Sequence, residues 1–153
     1  MIHSLGFRLT GSAADAADLA QETFLRAWRQ LGGFRGDCAF ASWLRRIAVN
    51  LALNWRAGSD RQQRAHDQWF AEHRSETGAG SSIEPERVAA ALQRLDPEYR
   101  AALVLTVYEG LNHAEAARTL GCAETTVSWR IWRARRQLRG WLADLAPRQG
   151  GFR

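Results

Sequence analysis

The chain has 153 residues with 21 basic and 16 acidic side chains, a net charge of +5, and every basic residue is Arg. With 46% hydrophobic and 24% charged residues, this is the composition of a soluble globular protein with one modest core or two small ones, which excludes a disordered tail, a collagen-like fibre and a large multidomain enzyme. A basic chain built only from Arg points towards nucleic acid, because the guanidinium grips phosphates and guanine edges in a planar fork and stacks on aromatics; a GC-rich coding preference explains the missing Lys equally well.

Charge is distributed in three blocks. Residues 1–64 hold nine Arg and five acids, residues 65–86 one Arg and five acids, and residues 87–153 eleven Arg and six acids. The middle block contains Thr77-Gly78-Ala79-Gly80-Ser81-Ser82, which cannot sustain a helix or bury much surface. Two basic modules joined by an acidic, flexible linker are expected.

Helical periodicity begins at Asp15. Ala16, Leu19, Ala20, Phe24, Ala27, Trp28 and Leu31 recur at spacings of three and four, with Asp15, Asp18, Gln21, Glu22, Arg26 and Arg29 on the other side. Ser12 is placed to cap this helix, with Asp15 completing a capping box in the broader sense, and Gly32-Gly33 ends it. After the loop Phe34-Arg35-Gly36-Asp37-Cys38, a second apolar series runs through Phe40, Trp43, Leu44, Ile47, Ala48, Leu51, Leu53 and Trp55, and Ala57-Gly58-Ser59 breaks it. The second module reads as four helices. Pro85-Glu86 starts the first, and Asp96-Pro97 is a cap and first-turn pair for the next, with Ala102, Leu103, Leu105 and Tyr108 inward. Gly110 stops that helix, Asn112 caps a short one ending at Leu120, and a long helix runs from about Glu124 to Ala143. Nothing alternates with period two, so the expected fold is all-α.

Ala117, Gly121 and Val127 carry the most specific local signal. A helix-turn-helix needs a small residue where its helices cross, a residue tolerating positive φ in the turn and an aliphatic anchor in the second helix, and these three sit at the required offsets. At 100° per residue, Val127, Ile131, Ala134 and Leu138 share the buried side of the long helix. Trp129, Trp132, Arg133 and Arg136 face away, with Ser128 and Arg130 on the flanks. In a major groove, each Arg on phosphate adds salt-sensitive affinity, and a bidentate Arg on guanine contributes about 1–3 kcal/mol of discrimination. Trp129 and Trp132 fit thymine methyls and sugars, or packing against the other module or a partner.

Cys38 and Cys122 lie far apart without Cys or His at ligand spacing, so neither a disulfide framework nor a metal site is expected. No apolar run is long enough to cross a bilayer, and Met1-Ile2-His3 opens no signal peptide, so a cytoplasmic protein without membrane insertion is expected. His3, His66, His73 and His113 fall in unrelated settings, and no phosphate-cradling Gly loop or nucleophile with a base at motif spacing occurs. A nuclease or other enzyme is therefore not expected, and no cofactor is.

Taken together, these residues resemble the extracytoplasmic-function (ECF) sigma factors of bacterial RNA polymerase, within the sigma-70 family. Asp18-Leu19-Ala20-Gln21-Glu22-Thr23-Phe24-Leu25-Arg26-Ala27-Trp28 resembles that family's polymerase-binding helix. Phe34 to Leu44 with Arg46-Ile47-Ala48-Val49-Asn50 resembles its promoter-melting loop and helix. Leu95-Asp96-Pro97-Glu98-Tyr99-Arg100, Gly121 to Val127 and Arg133-Ala134-Arg135 resemble its helix-turn-helix region. The resemblance covers nearly the whole chain and implies sigma region 2 over residues 1–60, the linker over 61–86 and sigma region 4 over 87–146, the last a four-helix, winged-helix-like DNA-binding module. It departs from the family at the start, where a full helix usually precedes the segment matching Leu5 to Gly11, so that helix is expected to be truncated.

What the resemblance implies about sites follows residue by residue. Asp18, Gln21 and Glu22 would bind core RNA polymerase. Phe40 with its loop would form a pocket for a flipped base of the minus-ten element, with Trp43 as wedge or core, Asn50 and Asn54 for polar readout, and Arg45, Arg46 and Arg56 on the strand's phosphates. The long helix would read the minus-thirty-five element of promoter DNA through Arg130, Arg133 and Arg136, with Thr125, Thr126 and Ser128 near phosphates or bases. An anti-sigma protein is a further implied partner, with Trp69-Phe70 a conceivable contact. The rival reading, an autonomous helix-turn-helix regulator, needs a dimer interface that only Trp141, Leu142 and Leu145 offer, and leaves the first module unexplained.

Overall fold

A computed structural model describes residues 1–55 and 85–143 of the chain, and every regular element among these is helical. The first is α1 (Ile2–Thr10), where Ile2, Leu5 and Leu9 repeat at helical spacing and are all buried. Gly11 ends it with φ 78, donating its N–H to Phe7 O at 2.8 Å. The periodicity that begins at Asp15 does not reach this helix, and α1 supplies three of the first module's buried aliphatics. It folds back on α2 (Ala13–Gln30) at Gly6, where a Cβ would come within 3.3 Å of the Ala16 backbone. A side chain there would push the two helices apart by a few tenths of an ångström.

In α2 the Ser12 Oγ accepts the Asp15 N–H at 3.2 Å, so the expected serine cap is in place. Its buried positions are Ala16, Leu19, Thr23 and Ala27, and Thr23 enters the core by donating its hydroxyl to Leu19 O at 2.6 Å. This corrects the inward assignment of Phe24, Trp28 and Leu31, which are exposed, Trp28 at 78%. The apolar stripe is real, but the nine residues of α1 are too few to run alongside all eighteen of α2.

A 3₁₀ turn (Leu31–Gly33) and an irregular loop lead to α3, residues 40–55, which buries Leu44, Ala48, Val49, Leu51 and Ala52 and leaves Phe40 and Trp55 exposed at its ends. The linker expected over 61–86 lies almost entirely outside the described residues, as do Arg56, Trp69, Phe70 and Leu145.

The second module follows the sequence closely. Helix α4 (Pro85–Arg94) precedes α5 (Pro97–Leu103), which Asp96 caps by accepting the Glu98 N–H at 2.9 Å. The chain then widens into a π turn (Val104–Tyr108) and stops at Gly110, φ 68. Tyr108, expected inward, is exposed. Helix α6 (His113–Leu120) begins with a full capping box: Asn112 Oδ1 accepts the Glu115 N–H, and Glu115 Oε2 accepts the Asn112 N–H, both at 2.9 Å. Gly121 ends it at φ 66, and α7 (Glu124–Trp141) follows. Its N-cap is Ala123, and no side chain caps it. Buried aliphatics of both modules join one contiguous core, with α1 resting against α4, α5 and the π turn.

Candidate nucleic-acid interface

The helix-turn-helix is built from three positions. Ala117 is small where α6 crosses α7, Gly121 takes the left-handed conformation of the turn, and Val127 is wholly buried against α6. Ile131 and Ala134 continue the buried stripe. With that side anchored, rotation along α7 fixes what faces outward. Trp129 and Trp132 are half exposed, and Arg133 and Arg136 are exposed beside them. Each Arg lies one turn beyond a Trp and over its ring, Arg133 at 5.6 Å from Trp129 and Arg136 at 5.4 Å from Trp132. Stacking of this kind holds the guanidinium forks in a preset orientation and leaves their N–H edges free for an acceptor. The Trp129 ring also meets Tyr99 edge-on at 5.5 Å, tying α7 to α5.

Not every residue expected on this face points out from it. The Arg130 guanidinium is mostly covered, ion-paired with Glu98 and 3.6 Å from Cys122 Sγ. Arg130 thus braces α7 against α5 and the turn. Ser128 is exposed, its hydroxyl shared between Glu124 O at 3.1 Å and His113 Nδ1 at 2.8 Å, which links the starts of α6 and α7. Thr125 is exposed and Thr126 half-buried on the first turn of α7, a helix end whose amides favour anions.

In the first module the aromatic rings of Phe34, Phe40 and Trp43 pack as a triangle, with centroids 5.0–5.7 Å apart. Beside them a concavity of about 210 Å³ is lined by Phe34, Arg35, Asp37, Cys38, Trp43 and Arg46, with Gly33 at its edge. Phe40, the residue expected to form the pocket, packs against the two rings that line it, Trp43 and Phe34, the latter left by the sequence as part of the loop. Asn50 and Asn54 are exposed one turn apart on α3. Arg46 reaches the concavity, whereas Arg45 turns the other way and donates from Nε to Glu109 of the second module at 3.0 Å.

On α2, Asp18 and Gln21 are exposed and Glu22 is ion-paired with Arg26 at 2.8 Å. Leu25 and Trp28, one and two turns further along, are exposed beside them. Polar side chains around exposed apolar ones make a surface suited to protein rather than to phosphate. No group of three or more metal-ligating side chains occurs among the described residues.

Residues 1–62 match the model of Sigma-70 region 2, and residues 86–138 match that of Sigma-70, region 4. The chain belongs to the sigma-70 family. Within it, the chain is an ECF-type factor. It is 37% identical over 148 residues to the ECF RNA polymerase sigma factor SigE of Mycolicibacterium smegmatis, covering 93% of this chain and 57% of that protein. It is 40% identical over 144 residues to the RNA polymerase sigma-H factor of Pseudomonas aeruginosa, covering 84% of this chain and 73% of the relative. Among solved structures, the sigma factor RpoE of Bartonella quintana, in complex with the anti-sigma factor NepR, superposes with a TM-score of 0.67 at 26% identity, over 93% of this chain and 89% of that one. CnrH in complex with the cytosolic domain of CnrY gives the same TM-score at 31% identity, over 94% and 80%. No helix of this sigma factor is long and apolar enough, among the described residues, to cross a membrane.

Proposed function

We propose that this ECF sigma factor directs core RNA polymerase to its promoters through three separate surfaces. The outer side of α2, with Asp18, Gln21, Glu22 and the apolar Leu25 and Trp28, docks on polymerase. The concavity beside Phe34, Trp43 and Phe40 receives a base extruded from the minus-ten element. Extrusion costs a few kcal/mol of stacking, which aromatic walls and the Arg46 charge offset. Asn50 and Asn54 read exposed base edges, and Arg45 and Arg46 hold the strand.

The minus-thirty-five element is read by α7. Trp129, Trp132, Arg133 and Arg136 face the groove, and Thr125, Thr126 and Ser128 lie near phosphates at the start of the helix. The pairing of each outward Arg with a Trp one turn before it carries this reading, because a merely solvated face has no reason to display two large rings under two ordered guanidiniums. Arg130 acts one step behind, holding α7 in position through Glu98. The factor works in the cytoplasm as an initiation factor without catalytic chemistry or cofactor of its own. Region 2 occupies residues 1–60 and region 4 residues 87–146, with 61–86 joining them. Because the similar sigma factor RpoE was solved in complex with an anti-sigma factor, an anti-sigma protein is proposed as a partner here too.

The test is transcription from a promoter library by core polymerase with and without the chain. Start-specific RNA only when both are present is the expected result. Tight dimeric DNA binding without polymerase, and no RNA, would replace this reading with an autonomous regulator.

A further inference from the structure

The outward side of α7 carries a narrow range of chemistry. The segment from Trp129 to Arg136 holds no Asn, Gln, Asp, Glu, Ser or Thr, and the helix carries no acid after Glu124. Ser128 has its hydroxyl engaged by Glu124 O and His113, Arg130 is held by Glu98, and Gln137, the first amide beyond, has its side-chain oxygen buried. What projects beside them is of two kinds. Arg133 and Arg136 present N–H donors in a planar fork, and Trp129 and Trp132, 50% and 53% exposed, present apolar ring surface with a single N–H each.

That set limits what the helix can recognise in a major groove. Adenine is read by the paired donor and acceptor of an Asn or Gln, and cytosine by an acceptor, and neither is present. A fork of donors matches the two acceptors of guanine, and the apolar feature that a base edge shows there is the 5-methyl group of thymine. Each guanidinium carbon lies over a Trp ring, at 5.6 Å for Arg133 on Trp129 and 5.4 Å for Arg136 on Trp132, so each fork arrives with an apolar surface at its side. Three residues separate the two rings, ~4.5 Å along the helix against ~3.4 Å between base pairs, so they meet neighbouring pairs. Trp129 is also set in place by Tyr99, edge-on at 5.5 Å.

We propose that α7 reads a guanine–thymine code. Arg133 and Arg136 take the paired acceptors of guanine, and Trp129 and Trp132 cover the 5-methyl groups of thymines at adjoining pairs. Thymine is thus recognised through a methyl group rather than a hydrogen bond. The code deepens the minus-thirty-five contacts proposed above for α7 and rests on them.

The probe is a pool of duplexes with a randomised segment at the minus-thirty-five position, captured by the full chain bound to core polymerase and sequenced. Enrichment of G·C pairs beside A·T pairs is expected. The enriched duplex is then remade with uracil in place of each thymine in turn, which removes the 5-methyl group and keeps the hydrogen-bonding edges. At two positions the parent should lose about fourfold in affinity, the contribution of one buried carbon. Trp129→Ala and Trp132→Ala should each make one of those positions indifferent to uracil while keeping the requirement for guanine, and Trp132→Phe should retain part of the uracil effect. A substitution that only loosens α7 would weaken every duplex alike and keep that effect. An enriched sequence that lacks A·T pairs, full parent affinity at every uracil position, or a uracil effect that persists in both Ala variants overturns the code. A pool in which no sequence is enriched overturns the reading of α7 as a promoter helix, and the code with it.

Discussion

Arg100→Ala is the sharpest probe of the fold. This guanidinium is fully buried and donates to five acceptors: Leu92 O at 2.7 Å, Gln93 O at 2.6 Å, Leu95 O at 2.9 Å, Leu9 O at 2.6 Å and the Gln93 side-chain oxygen. Two of these, Leu92 O and Gln93 O, are carbonyls in the last turn of α4 and Leu95 O lies just beyond it, where helical backbone donors run out. Hydrogen bonds to a charged donor contribute about 1.5–3 kcal/mol each, so their plain sum exceeds 7 kcal/mol. Burying the charge costs several kcal/mol in the opposite direction, and water entering the vacated space satisfies part of what remains. The expected net loss is about 3–5 kcal/mol, a large part of the ~5–15 kcal/mol that folds a domain. For a chain of this size that lowers the melting temperature by roughly 6–20 °C. Urea unfolding followed by circular dichroism, with Arg100→Lys beside it, gives the measurement. An ammonium cannot span acceptors spread around a planar fork, so Lys should recover less than half of the loss. A stability for Arg100→Ala within ~1 kcal/mol of the parent would refute this account of how the second module closes.

Other substitutions separate the surfaces. Glu22→Lys should abolish co-purification with core polymerase while leaving the full chain's affinity for minus-thirty-five DNA within about twofold, by filter binding at fixed salt; loss in both assays would mean that α2 is misassigned. Arg133→Ala should weaken that DNA binding and, if its guanidinium sits on a phosphate, reduce the slope of log affinity against log salt by about 1. Trp43→Ala should leave duplex binding intact but slow strand opening, read by 2-aminopurine fluorescence in the minus-ten element, by at least tenfold for ~1.4 kcal/mol of lost stacking. Gly121→Val, which forces a β-branched side chain to φ 66, should cost about 1–2 kcal/mol by the same urea assay.

Much of this arrangement is written locally. Ser12, Asp96 and Asn112 cap helices because their short side chains reach an amide two or three residues away, and Gly121 and Val127 mark turn and anchor within one stretch of chain. Periodicity also shows where an apolar stripe lies, but not what covers it, which is why Phe24 and Trp28 read as core and stand exposed. Helix α1 escaped because nine residues without a side-chain cap give too little pattern. Arg130 and Arg133 look alike in sequence; the difference is Glu98, 32 residues away on another helix. The contacts of Arg45, Arg100 and Gln93 span 64 to 91 residues, and no spacing rule reaches that far.

The arrangement around Arg100 has a consequence for how the chain can change over generations. Most of its acceptors lie in its own module, so purifying selection for a foldable second module preserves the side chain whether or not the grip on Leu9 is useful. That half of the intermodule contact is inherited for free. Glu109 is different: both its ion pairs leave the module, and nothing in the folding of either half keeps a carboxylate there. Drift is therefore free to change, at this one position, how firmly the two modules pack together without disturbing either half.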